Sequence, residues 1–141
     1  MNKITNEIPK QEWKQFFDDL SREKLDWQTK IEVMNDETGA QILTEGLPLG
    51  GLTFDDKDGQ ERIEFIVGSG TENHQTHNIS EPEKVYFRRA DDRQVGTVEI
   101  EDAGGTKTLV HIIQPMPVLV QYVETETVIT TLLGLSLFER I

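Results

Sequence analysis

The sequence predicts an α+β protein. An N-terminal helix packs on a strongly curved antiparallel sheet, or on such a sheet closed into a small barrel of five to seven strands. Three observations predict it. Trp13, Phe16, Phe17 and Leu20 fall at i, i+3, i+4 and i+7, one apolar stripe on a helix. From Trp27 onward the apolar period changes to two, the period of a half-buried strand. Turn residues then recur at short intervals, as in a sheet of hairpins.

The helix is expected over Pro9 to Leu25. Proline suits the first turn, where its missing N–H costs no hydrogen bond. Lys10, Glu12, Lys14, Asp18 and Arg22 make the opposite side polar, so the aromatic stripe needs a cover. Trp27, Thr29, Ile31 and Val33 alternate with polar residues in the first strand. Asn35 to Gly39 turns into a second strand through Ala40, Ile42 and Thr44. Gly46, Pro48, Gly50 and Gly51 interrupt it, and glycine inside strand-like sequence marks a bulge or bend. This corner leads to a third strand at Leu52-Thr53-Phe54. Asp56-Lys57-Asp58-Gly59 is a hairpin turn before Arg62 to Val67, and Gly68-Ser69-Gly70 ends that strand. After the Ile79 strand come strands at Lys84 to Arg89, Val95 to Glu101 and Lys107 to Ile113. The prolines of Gln114-Pro115-Met116-Pro117 end the pattern. Residues 1–113 therefore read as a single α+β domain. Residues 114–141 read as an apolar C-terminal extension, either an added strand and helix or an oligomer contact.

Composition excludes several functions. The chain has 141 residues, 26 acidic against 14 basic, for a formal net charge of −12. Such a field repels phosphate backbones and anionic membrane surfaces, so neither nucleic acid nor membrane is an expected partner. Cysteine is absent, which removes disulfides, thiolate metal sites and cysteine nucleophiles. No segment has the apolar run of a signal peptide or membrane span, and the expected location is cytoplasmic.

Chemistry-bearing residues gather only at Asn73-His74-Gln75-Thr76-His77-Asn78-Ile79, which holds two of the three histidines. His74, Thr76 and His77 are candidate binding residues on that ground. His74 and His77, with His111 as a third nitrogen, are the weaker alternative of a metal site. The spacing lacks the glutamate of the zincin pattern, and in a strand residues i and i+3 face opposite ways. The competing expectation is structural: His77 makes a hydrogen bond that fixes the loop entering the Ile79 strand. Asp56 to Gly59 superficially resembles a calcium loop, but Phe54 and Phe65 then occupy positions that need oxygen ligands. Ser69 near His74 lacks the strand–elbow–helix setting of a nucleophile. No cofactor is expected.

Four segments carry a family likeness. They are Ile8 to Trp13 with Phe16-Phe17; Gly39-Ala40-Gln41 through Gly46-Leu47-Pro48-Leu49 to Gly51-Leu52; Thr76-His77-Asn78-Ile79 followed by Pro82; and the hairpin from Glu99-Ile100-Glu101 to Gly105-Thr106. They resemble a family of small bacterial proteins, cyanobacterial members included, that share a domain of unknown function. The likeness covers roughly Ile4 to Ile113, and the extension from Pro115 is longer than the family pattern. The resemblance implies no activity.

The functional expectation is a non-enzymatic binding or adaptor module. It would use the sheet face, the sheet edge or the apolar C-terminal segment, through which a protein partner or a second copy would bind. Tyr122, Leu132 and Phe138 are the candidate binding residues there. The alternatives are a small-ligand carrier with the ligand inside the curved sheet and, behind it, a metal-dependent hydrolase on the histidines.

Overall fold

The computed structural model describes residues 4–68, 74–89 and 94–114. Among them are one α-helix, α1 (Trp13–Glu23), and eight strands: β1 (Ile4–Ile8), β2 (Gln28–Asn35), β3 (Gly39–Lys57), β4 (Gln60–Val67), β5 (Gln75–Ser80), β6 (Pro82–Arg89), β7 (Gln94–Asp102) and β8 (Lys107–Ile113). They form one antiparallel sheet in the order β1-β6-β7-β8-β2-β3-β4-β5. Among the described residues the sheet is open, because β1 and β5 end it without a further partner. Eight open strands replace the five to seven, and the closed barrel, that the sequence suggested.

Two of the strands differ from the expected segments: one is added, and one joins two of them. β1 has no apolar alternation, since Thr5, Asn6 and Glu7 are exposed, and it forms by pairing with β6 in the register Ile8↔Val85. The second and third expected strands are one continuous β3 whose halves serve different neighbours. Its first half pairs with β2 and its second with β4, the exchange falling at Pro48–Leu49. The corner is built from extra residues. Thr29↔Leu47 is followed by Lys30↔Glu45, which leaves Gly46 unpaired at φ +91, a conformation that favours glycine. Leu49↔Val67 is followed by Gly51↔Ile66, which leaves Gly50 unpaired.

The helix begins with a 3-10 turn at Lys10–Glu12 and then runs from Trp13. Trp13, Phe17 and Leu20 are buried against Ile31, Leu49, Leu52, Ile63, Phe65 and Val67, together with residues of β5 to β8. Phe16 is partly buried and meets the Phe87 ring edge-on at 5.7 Å. The helix also covers the free edge of the second half of β3. Ser21 Oγ donates to Leu52 O at 2.9 Å and accepts from Leu52 N at 2.8 Å, standing in for a neighbouring strand. Leu49 N donates to Trp27 O and Asp26 N to Leu49 O, which extends the same cover. No helix among the described residues is long and apolar enough to cross a membrane.

Candidate functional site

Two of the sequence-selected histidines lie on or beside β5, and the third, on β8, is far from them in the strand order. His74 is exposed just before β5, and Thr76 is exposed on it. His77 faces the core side of β5 beside buried Ile79 and pairs in register with Phe65. Its ring stacks on Phe65 with centroids 5.2 Å apart and 18° between planes. The hydrogen bond expected to fix the loop is not made at Nε2, which is enclosed and has no partner. Burial holds the His77 pKa below its ordinary 6.5, because a charged ring loses water there.

A stability prediction follows with a definite sign. As pH falls through 6.5, the unfolded chain takes up a proton at His77 before the folded chain does. The contribution of a neutral His77 is therefore full above that pH and is lost as pH falls toward the depressed folded value. His77→Phe keeps a stacking ring and removes the titration. Its thermal midpoint is expected to fall less than the wild type's between neutral pH and about 5.5, the range of histidine titration. Parallel profiles for the two proteins would refute the assignment.

His111 sits on the other face of the sheet. Its Nε2 lies 2.7 Å from Glu32 Oε1 and its Nδ1 2.8 Å from Thr97 Oγ1. An ionised Glu32 only accepts, so Nε2 donates to it, and Nδ1 of a neutral ring accepts the threonine hydroxyl. The bonds tie β2, β8 and β7 across the sheet. On the same face Arg88 donates to Glu99 at 2.8 Å. The order carboxylate, imidazole, hydroxyl is that of a nucleophile system, but Thr97 is 4% exposed. A substrate cannot reach that oxygen as the strands stand, so this is a structural tie. Between β8 and β5 lie β2, β3 and β4. His74, His77 and His111 thus do not come together, and no group of three metal-binding side chains occurs among the described residues.

An open trough of about 1070 Å³ crosses one end of the sheet, lined by Lys10, Lys57, Arg62 and Lys84 among acidic neighbours. Lys10 pairs with Glu61, and Arg62 with Asp55 at 3.7 Å. Its rim is held by Glu81 at φ +53. Glu81 N donates to Glu61 O, and Glu81 O accepts from Ala103 N. The mixed charges give no field of one sign, so the trough has no evident preference for an anion or a cation.

The surface the sequence did not reveal is the open edge of β3. From Gly39 to Leu47 this strand pairs with β2 on one side and with no described strand on the other. The edge is uncharged from Gly39 to Thr44 and carries Ile42 and Leu43, 54% and 46% exposed. Ala40, Ile42 and Thr44 share one face in an unbroken strand. Here the register jumps from Ile31↔Thr44 to Glu32↔Ile42, so Leu43 is an extra residue. Thr44 stays inside and Ile42 turns out. By contrast, Thr5, Asn6 and Glu7 make the β1 edge polar, and Gln75, Thr76 and Asn78 do the same for β5. Tyr122, Leu132 and Phe138 lie outside the described residues.

These features define a small α+β protein whose open antiparallel sheet is covered by one helix on one side. It belongs to a family of unknown function, DUF5335, which matches residues 4–120. It is similar to an uncharacterised protein of Aquifex aeolicus (strain VF5), 34% identical over 113 residues, 80% of this chain and 96% of that protein. No solved structure matches the chain.

Proposed function

We propose that this protein is a non-enzymatic binding module that takes an extended, apolar peptide segment onto the open edge of β3. The observation that carries this reading is the edge itself: unpaired among the described residues, uncharged over six residues from Gly39 to Thr44, with Ile42 and Leu43 exposed. Backbone groups on such an edge give affinity, and apolar side chains beside them give selectivity. The sheet it extends is rigid on the far side, where β2, β8 and β7 are tied by Glu32, His111 and Thr97. The cysteine-free, acidic composition suits a reducing cytoplasm. The carrier alternative has less support, because Trp13, Phe17, Phe65 and Ile63 fill the space between helix and sheet.

Paired pull-downs from the native host test the reading. Leu43→Asp is expected to lose a bound protein that the wild type retains. Leu25→Asp, at another exposed apolar residue, is expected to keep it. Equal retention by both variants, or equal loss, would sink the proposal.

A further inference from the structure

An extended, uncharged, apolar segment of the kind the β3 edge would take is present on the protein itself, as that edge. We infer that two copies pair antiparallel through Gly39–Thr44 about a two-fold axis and join their sheets. The inference rests on the reading of this edge as a receptor for an extended segment, and it names a second copy as the partner.

The first support is charge. A chain at −12 repels its own kind, so copies meet only where no acids are brought together. Gly39–Thr44 carries no charge, and Glu37 and Glu45 are the nearest acids on either side. Gly68 N donates to Pro48 O, which closes the edge beyond Leu47. The turn of a second copy must stop short of that point, and this puts the axis at Ile42 or between Gln41 and Ile42. Glu45 then stands opposite Thr38 or Gly39, and Glu37 opposite Gly46 or Leu47. No acid faces an acid, the arrangement that destabilises a strand pair. Glu45 also lies in register with Lys30 of β2, which offsets its charge.

The second support is apolar surface. Ile42 and Leu43 are 54% and 46% exposed, and exposed Ala40 has half-buried Met34 beside it in register. Pairing about the axis removes part of this surface from water on both copies. The β5 edge holds no acid either, but it exposes Gln75, Thr76 and Asn78, while β1 exposes Thr5, Asn6 and Glu7. Neither offers comparable apolar area.

The third support is closure. A two-fold contact uses the same edge on both copies, and the described edges left over are the polar ones, so assembly stops at two. The extra residues at Leu43 and Gly46 keep the pairing short. Association should therefore be weak and concentration-dependent.

Sedimentation velocity on the full chain tests the inference. The protein is expected to pass from monomer to dimer as its concentration rises through the micromolar range. Association should tighten several-fold from about 0.02 to 0.3 M salt, because screening relieves the repulsion between acidic copies. Ile42→Asp, nearest the axis, should weaken it by about tenfold or more. Fluorophore-labelled Ile42→Asp should be drawn into dimers by unlabelled Ile42→Lys, and not by unlabelled Leu25→Lys, which makes the same charge change elsewhere. A protein that stays monomeric, a dimer that weakens with salt, a dimer that survives Ile42→Asp, or no preference for Ile42→Lys would each overturn the inference. A monomer whose Leu43→Asp variant still loses a host protein ends the dimer and keeps the receptor reading. A dimer whose wild type captures only its own copy supports the inference and removes the foreign segment.

Discussion

Trp13→Ala is expected to cost about 3–5 kcal/mol of folding stability, the range for deleting a buried aromatic side chain. Trp13 is 1% exposed and closes one end of the core. It packs edge-on against Phe54 at 5.2 Å, and its indole N–H donates to Ile8 O at 2.8 Å. The same side chain therefore fixes the start of the helix, the second half of β3 and the end of β1. Against a typical total of about 5–15 kcal/mol, the loss leaves a marginal protein. The thermal midpoint should fall by roughly 10–20 °C, and urea unfolding would measure the free energy directly. Trp13→Phe separates the two contributions. It keeps most of the ring volume and deprives Ile8 O of its donor, so a loss of about 1–2 kcal/mol is expected. A loss below about 1 kcal/mol for the alanine variant would mean that the helix does not seat on the sheet through this residue.

Gly96→Ala should be the most damaging single-methyl addition among the glycines whose surroundings are described. A Cβ at Gly96 would stand 2.5 Å from Arg88 O and 2.9 Å from Phe87 Cζ. The first is backbone and cannot swing aside. Arg88 pairs with Thr97, and Arg89 with Gly96 itself, so relief requires opening the β6–β7 ladder. The expected cost is about 2–3 kcal/mol, at the upper end of the range for overpacking. Gly39→Ala is the control. Its added methyl meets nothing within 4 Å, and only the positive φ of +73 opposes it, for about 1 kcal/mol. Denaturant midpoints of the two variants decide the matter. The close packing of β6 on β7 is wrong if Gly96→Ala is no worse than Gly39→Ala.

Much of the fold was legible in local pattern. The stripe of Trp13, Phe16, Phe17 and Leu20 marks the helix, with Trp13, Phe17 and Leu20 buried and Phe16 partly so. The alternation at Thr29 and Ile31 names the buried face of β2. Asp58 and Gly59 adopt positive φ in the hairpin that Asp56 to Gly59 predicts. β1 was not legible, because a short polar edge strand has no periodicity of its own. The corner glycines predict a bend, yet not that one strand continues through it and exchanges partners.

The candidate surface was harder to read for a related reason. His74, Thr76 and His77 stand out in the sequence as residue types, but reactivity depends on what surrounds a ring. His77 meets Phe65, His111 meets Glu32 and Thr97, and the three imidazoles serve separate places. Ile42 reads as a core residue by parity, and the extra residue at Leu43 reverses that.

By itself the sequence determined most of the helix, strand and turn segments, β1 and the continuity of β3 excepted, because periodicity, proline, glycine and acidic turn residues act over a few positions. It also determined the acid excess, a formal net charge of −12. Only the tertiary structure decided the strand order, the partner exchange in β3 and the exposure of Ile42 and Leu43. Those depend on contacts between residues distant in the chain. One unpaired residue in a strand inverts the faces beyond it, and no local pattern carries that count.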